Sequence, residues 1–530
     1  MERFGGKRGL IFAASLLVLS LIAWVVFYLP PNSDEYIHYH IIACQKYHTP
    51  IEWGFFWGCD GSKELRLFDT WLPMRVWRYI GATSSLLYWP LFKIWPHYLS
   101  ARLSGVIGFL LFTFLMGRLC RLKPLTTLIF VGFNFPIAVQ MIADTGPLSL
   151  QMVSIPLVIL LLNREKWIYG LLAGLICFLG MEAKGVYALM LPALIMCGLC
   201  YFGLDETTRF TIRRYTRVSL WIRITLASII FSTLCYILYF KTFTPEHTSY
   251  FHSLQDRGVG EQVGIFEFHK LWFHFTEGMH EFFRNISNFA HRTLAPPGFG
   301  MNVPSQIHLV IWAICFLYSI YLLKLKKPLA FIGFFGFLVT MLLIVKTPSS
   351  WAGHHVILSF PFLMIGITSA IKEIELKNQK AFFAIALMWI LIHMNAIREP
   401  WVKRSPTAPN DWSRLTILNY FANLPKEKTK NNVYLNTDWG LYHLFGLYAS
   451  HGEPVGLLGE NRIHPGQIDI IENLAKEHPY RFVFIGTPNV APYNTLPLQE
   501  RFTGWKWLPI PGLSADSVWK VWVWNGKGTP

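Results

Sequence analysis

Charge is what this sequence has least of. Only 15% of its 530 residues are charged, against roughly 25% in soluble globular domains, which excludes an ordinary soluble protein and a disordered polyelectrolyte alike. Acids are the scarcer sign, with 31 Asp and Glu against 47 Lys and Arg and a formal net charge of +16. The basic residues stand in short clusters between apolar runs and form no solvated basic face, so no nucleic-acid partner is expected. Internal repeats and low-complexity tracts are missing, which disfavours inverted-repeat transporter folds. Zinc-binding spacings are missing too, including from the loop that carries His247, His252, His269, His274, His280 and His291. Of the eight cysteines, six sit in or beside apolar spans, where the residue packs as a small hydrophobe.

What is present is apolar length. Hydrophobic residues make up 53% of the chain and aromatic residues 16%. The run from Leu10 to Leu29 follows Lys7 and Arg8 and ends in Leu-Pro-Pro without a small-residue cleavage site, so it reads as an uncleaved first helix. Further runs long enough to cross about 30 Å of hydrocarbon lie near 101–117, 125–142, 147–162, 167–181, 185–203, 219–240, 305–323, 328–345, 354–371 and 381–397. Alternate connections are short and basic. They carry Arg118, Arg121 and Lys123; Arg164 and Lys166; Arg209, Arg213, Arg214 and Arg217; Lys324, Lys326 and Lys327; and Lys372, Lys377 and Lys380. This is the cytoplasmic pattern of the positive-inside rule.

The expected fold class is therefore a polytopic α-helical membrane protein of about eleven transmembrane helices with a small C-terminal α/β soluble domain. The first helix takes 1–30, and an outer loop takes 31–100. Helices two to seven fill 101–240, an outer His-rich loop 241–304, and helices eight to eleven 305–397. The extracytoplasmic C-terminal domain takes 398–530. In the first loop, Arg66-Leu-Phe-Asp-Thr-Trp71-Leu and Ser85-Leu-Leu-Tyr-Trp-Pro90-Leu-Phe-Lys93 suit interfacial helices. In the last domain, Val433-Tyr-Leu-Asn436, Arg481–Ile485 and Val518–Trp524 suit strands, with helical runs near 439–449 and 466–477. Cys44 and Cys59 share the first loop and either close it as a disulfide in an oxidising compartment or stay as free thiols.

Ionisable residues at membrane depth are costly and mark function or pairing. Four places stand out on the outer side. Asp34-Glu35 follows the first helix at once, and in a helix Asp34 and His38 would share a face, a carboxylate with an orienting imidazole. The competing reading is an N-cap. Asp144 stands in an outer Pro/Gly turn, as an acting acid or a turn residue. Lys184 breaks the positive-inside rule and suits an anion such as a lipid phosphate, or else pairs with Glu182 at the surface. His354 and His355 precede the tenth helix beside Ser349 and Ser350, a plausible anion cradle in which adjacent histidines cannot both face inward along a helix. Arg102, at the mouth of the second helix, either joins the anion site or snorkels to the headgroups.

Taken in order, these residues resemble the GT-C superfamily of polytopic glycosyltransferases, which includes protein O-mannosyltransferases and the lipid A aminoarabinose transferase. The likeness rests on Asp34-Glu35 after the first helix and Arg102 at the second. It also rests on the Pro136…Asp144 turn, Ala183-Lys184-Gly185, and His354-His355 before Pro361. Last comes an outer domain opening with Val433-Tyr-Leu-Asn-Thr-Asp-Trp-Gly440. The resemblance implies transfer of a sugar from a polyprenyl-phosphate carrier to a lipid, glycan or protein acceptor. On that footing Asp34 is the base, Glu35 and Asp144 orient acceptor or sugar, and Lys184, Arg102, His354 and His355 bind the donor phosphate, with His38 in support. No cofactor is required by any motif, and a divalent cation stays open. The expected setting is a bacterial inner membrane with the site facing the periplasm, among membrane lipids. The alternatives are a transporter or lipid flippase and an O-antigen-ligase-like enzyme.

Overall fold

The structure is a computed structural model. It describes residues 2–29, 64–67, 70–73, 75–77, 80–81, 83–95, 97, 99–143, 148–205, 209–237, 267, 269–270, 272–276, 278–279, 303–346, 356–402, 411–436, 445, 449, 451, 453, 455–457, 469, 471–473, 481–486, 505–513, 517 and 519–524. Its first helix, α1 (Glu2–Phe27), has 26 residues and so runs about 39 Å at 1.5 Å per residue. Leu10, Phe12, Leu16 and Leu19 on it are exposed while Val18, Leu21 and Val25 are buried. Apolar residues on both faces are what a helix between protein and lipid requires.

After α1 the chain forms two small antiparallel hairpins, β1 (Glu64–Leu67) with β2 (Thr70–Pro73) and β3 (Arg75–Trp77) with β4 (Ile80–Gly81). The segment Arg66–Leu72 is therefore a hairpin, with Arg66 opposite Trp71, and not the interfacial helix its aromatic content suggests. Thr and Trp favour a strand as much as an interface, and a short link between two such stretches lets them pair. The second aromatic stretch does form a helix, α2 (Thr83–Ile94).

Helix α3 (Leu99–Leu119) follows. His97 caps it: Nδ1 accepts the Leu99 N–H at 3.2 Å and the carbonyl accepts the Ser100 N–H at 2.9 Å. Burial lowers the His97 pKa, which keeps the ring neutral and able to accept. The next span is broken. Helix α4 (Pro124–Thr127) runs into a π turn at Leu128–Gly132 and then, bent by 70°, into α5 (Phe135–Ile142). Asn134 caps the new start by accepting the Ile137 N–H at 3.2 Å. Pro136 has no N–H to satisfy, and His393 Nδ1 accepts that of Phe135 at 3.3 Å.

The bundle continues with α6 (Ser149–Leu162), α7 (Ile168–Ala183), a 3₁₀ turn at Gly185–Met190 leading into α8 (Leu191–Phe202), and α9 (Val218–Tyr236). It closes with α10 (Val303–Lys324), α11 (Leu329–Lys346), α12 (Phe360–Lys377) and α13 (Gln379–Val402). Among the described residues, six helices are long and apolar enough to cross a membrane, or seven with the bent pair as one span. Shorter apolar helices lie at Ser149–Leu162, Ile168–Ala183, Leu329–Ile344 and Gln379–Asn395. The chain is an integral membrane protein.

Close helix contacts depend on small residues, as in other membrane bundles. A Cβ at Gly105 of α3 would lie 2.3 Å from the Ile142 carbonyl oxygen and 2.7 Å from that of Met141. Both obstacles are backbone, so nothing soft can yield. Gly105→Ala is expected to destabilise the bundle by about 1–3 kcal/mol, as overpacking does, read as a lower Tm in detergent. An unchanged Tm would show that α3 and α5 can separate freely.

One end of the bundle collects basic connections and their acids. Lys123 Nζ meets Glu375 at 2.9 Å, where Thr126 also donates at 2.7 Å, and Lys327 meets Glu373 at 2.7 Å. Beyond α14 (Asp411–Ala422) and α15 (Lys426–Thr429), the chain builds a five-stranded sheet in the order β6-β5-β7-β9-β8. The strands are β5 (Asn432–Asn436), β6 (Val455–Leu457), β7 (Arg481–Gly486), β8 (Lys506–Trp507) and β9 (Lys520–Trp524). β5 is parallel to β6 and β7, and β9 is antiparallel to β7 and β8. Three of these strands occupy the stretches expected to be strands. The sheet shares a core with α2: Tyr88 and Phe92 pack with Ile417, Leu418, Phe421, Tyr434 and Val521. Burial pushes the Tyr434 phenol up to about 12, so the hydroxyl stays protonated beside the Asn432 amide, 2.9 Å away.

Candidate functional site

The residues expected to act divide into two sets. Asp34, Glu35, His38, Cys44, Cys59, Asp144, His354 and His355 lie outside the described residues. Arg102 and Lys184 lie within them, and the structure brings both to the bundle end opposite the basic connections, where α1 ends, α3 begins and α7 ends.

Arg102 is 1% exposed, so it does not snorkel. Its Nη1 donates to the carbonyls of Val25 and Val26 at 2.9 Å each and of Leu29 at 2.7 Å. The last carbonyls of a helix have no partner within it, and in apolar surroundings an unmade bond costs several times what it costs in water. Nη1 carries two N–H groups, which the three carbonyls share. Its positive charge also suits the negative end of the α1 dipole.

Lys184 is also 1% exposed, and Glu182 is 6% exposed, so the two are not a surface pair. Lys184 stands where α7 stops, with extended backbone (φ −160°, ψ 118°). The surroundings of this stop are heavily hydrogen-bonded. Gln151 Nε2 donates to the Gly180 carbonyl at 3.2 Å, Ser154 donates to the Tyr187 hydroxyl at 2.9 Å, and the Tyr187 N–H reaches the Lys184 carbonyl at 3.0 Å. These bonds hold the backbone on both sides of the buried Lys184.

Glu182 is a residue that sequence reasoning weighed only as a partner for Lys184. Its Oε2 accepts the Thr83 N–H at 3.0 Å, so it caps the start of α2 from another helix. A Cβ on Gly81 would fall 1.9 Å from Glu182 Oε1, which shows how closely the hairpin end presses on α7. Glu182 thus ties the first loop, and through α2 the C-terminal sheet, to the Lys184 corner.

A second group was missed altogether. His308 of α10 and His393 of α13 are fully buried, with ring centroids 5.1 Å apart and Trp389 edge-on to both. Among the described residues, neither His308 nitrogen nor His393 Nε2 has a hydrogen-bond partner. The signal was available: each is an imidazole inside an apolar run. In the His-rich loop, Phe275 and Met279 pack against the main core while Trp272 and Phe273 are exposed. Among the described residues no group of three His, Cys, Asp or Glu side chains could hold a metal ion.

No family model matches the sequence, and no curated protein matches it. Solved structures do resemble it. The Archaeoglobus fulgidus oligosaccharyltransferase tethered to an acceptor peptide containing the NVT sequon is 15% identical over 96% of this chain and 73% of its own, with a TM-score of 0.46. Apo ArnT from Cupriavidus metallidurans is 12% identical over 98% of both chains, with a TM-score of 0.52. The second likeness covers nearly the whole length of both molecules. This chain shares its overall fold with ArnT.

Proposed function

We propose that the protein is a membrane glycosyltransferase that moves a sugar from a polyprenyl-phosphate carrier to an acceptor on the extracytoplasmic side. The observation that carries the reading is the end-to-end likeness to ArnT, joined to a buried cation, Lys184, at the bundle end away from the basic connections. In this reading all eleven apolar stretches span the membrane, and the basic connections face the cytoplasm. The membrane is a bacterial inner membrane, and the site faces the periplasm.

Asp34 takes the proton of the acceptor hydroxyl. The acceptor oxygen forms its bond to the anomeric carbon as the bond from that carbon to the carrier phosphate breaks, with inversion. The electron pair leaves on the phosphate, where Lys184 and the His354–His355 segment meet the growing charge. Glu35 and Asp144 orient the sugar and acceptor, and the C-terminal sheet, held by α2, borders the acceptor side.

A lipid flippase or transporter is the second reading. The bend between α4 and α5 beside the buried His308 and His393 favours it, because broken helices with polar groups at depth are what transport uses. The test is purified protein in vesicles with radiolabelled polyprenyl-phosphate sugars and a crude lipid and glycan extract. Label passing to an acceptor supports the transferase. Label crossing the bilayer on an unchanged carrier would replace it with the transporter.

A further inference from the structure

We infer that the cleft between the α6–α7 connection and the start of α9 binds one anionic phospholipid, headgroup in the cleft and acyl chain along α9. The cleft holds about 420 Å³ and is lined by Glu165, Lys166, Trp167, Ile168, Ser219 and Ile222. Small-ligand clefts span about 300–1,000 Å³, so a headgroup fits. Arg164 and Arg217 stand two residues before Lys166 and Ser219, and Arg164, Lys166 and Arg217 are all exposed. Elsewhere at this end of the bundle cations are already matched, Lys123 with Glu375 and Lys327 with Glu373. Among the described residues no carboxylate forms an ion pair with Arg164, Lys166 or Arg217. Three exposed cations around one acid, Glu165, leave a positive surplus that an anionic headgroup complements.

The walls of the cleft are fastened together. Arg223 of α9 is buried and donates from Nε to the Leu162 carbonyl at 2.9 Å and from Nη1 to the Glu165 carbonyl at 2.7 Å. These bonds tie the α6–α7 connection to α9. Helices α7 and α9 also meet backbone to backbone. A Cβ at Gly170 would lie 2.6 Å from the Arg223 carbonyl oxygen, and one at Gly174 would lie 2.4 Å from that of Ala227. Glycines four residues apart are a close-packing pattern of membrane helices. The Trp221 indole donates to the Tyr215 carbonyl at 2.8 Å, which holds the chain as it enters α9. Trp167 in the lining is 60% exposed, and tryptophan favours the level between headgroups and hydrocarbon. From the cleft an apolar stripe continues along α9. Ile222, Ile229 and Tyr236 are all about half exposed, and their spacing of seven puts them on one face. The stripe runs about 21 Å, room for an acyl chain.

The inference holds for a transferase and a transporter alike, and native mass spectrometry of the full-length protein in detergent tests it. One dioleoylphosphatidylglycerol per chain is expected to be retained at least about tenfold more tightly than dioleoylphosphatidylcholine. A cation at the membrane surface contributes about fivefold in affinity for an anionic lipid. Lys166→Ala combined with Arg217→Ala should therefore weaken phosphatidylglycerol by about 25-fold, close to the phosphatidylcholine value. Lys324→Ala combined with Lys380→Ala removes the same charge from other connections at this end and should change affinity by less than about threefold. All four positions are exposed, so neither change disturbs the core. Equal losses in the two double variants would overturn the inference, because the overall field and not the cleft would hold the lipid. Equal retention of the two lipids by the wild type would overturn it as well. A millimolar excess of sn-glycerol 3-phosphate, which has no acyl chain to lie on α9, should leave the lipid in place. Displacement by it would reduce the cleft to an anion site and overturn the lipid assignment. Tighter retention of dioleoylphosphatidylethanolamine than of phosphatidylglycerol would also overturn it, and would assign the cleft, through Glu165, to a zwitterionic headgroup.

Discussion

Asp34→Asn protein is expected to insert, fold and bind donor like the wild type, and to transfer sugar about 10²–10⁴-fold more slowly, the range a positioned general base supplies. Asn has the same shape and still accepts hydrogen bonds, so a capping role at the loop start would survive the change. What it lacks is a basic oxygen to take the acceptor proton as the new bond forms. The loss should therefore appear in kcat, with the KM for donor little changed. Glu35→Gln and Asp144→Asn should cost less in kcat and more in acceptor KM if those residues orient and do not deprotonate. Initial rates with a labelled donor, at saturating and limiting acceptor, measure both. Wild-type turnover in Asp34→Asn would assign that carboxylate to the loop and leave the base to be found elsewhere.

Lys184→Met should separate stability from function. The ammonium is 1% exposed, and a buried charge is carried against a desolvation penalty that an apolar side chain of similar length does not incur. Loss of one partner from a well-bonded group destabilises, so the Tm reports how much Lys184 gives its frame. Transfer reports what it gives the leaving phosphate. A fixed cation in a low-dielectric pocket is worth about 10²–10³ in rate at a centre where negative charge grows. A Tm within a few degrees of wild type, with transfer down by that factor, is the expected pair of results. Full transfer with a much lower Tm would make Lys184 a structural cation and remove the main support for phosphate binding at this corner.

The apolar helices are legible in the sequence because their signal is local: length and hydropathy along a single run fix them. Strands β5, β7 and β9 are legible for a similar reason, since each is a short run of β-branched and aromatic residues. Arg66–Leu72 misleads because aromatic content marks an interface and a strand equally, and only the partner across the hairpin decides. Arg102 is correctly placed at a helix mouth, but its task comes from carbonyls 73 to 77 residues earlier in the chain, which no spacing rule reaches. Glu182 is hidden in the same way, its partner Thr83 lying 99 residues away. His308 and His393 needed only closer attention to imidazoles within apolar runs.

The bond from the Phe135 N–H to His393 also bears on the order in which the protein is made. Its two ends are 258 residues apart, with α4 and α5 among the first helices to leave the ribosome and α13 among the last of the bundle. Lipid offers no substitute for a missing acceptor. Until α13 is synthesised, the bent span must wait with an open backbone group, sheltered by water in the translocation channel or by an insertion factor. Truncation before His393 should leave this segment exposed to proteases and quality control even though every residue of the segment itself is present.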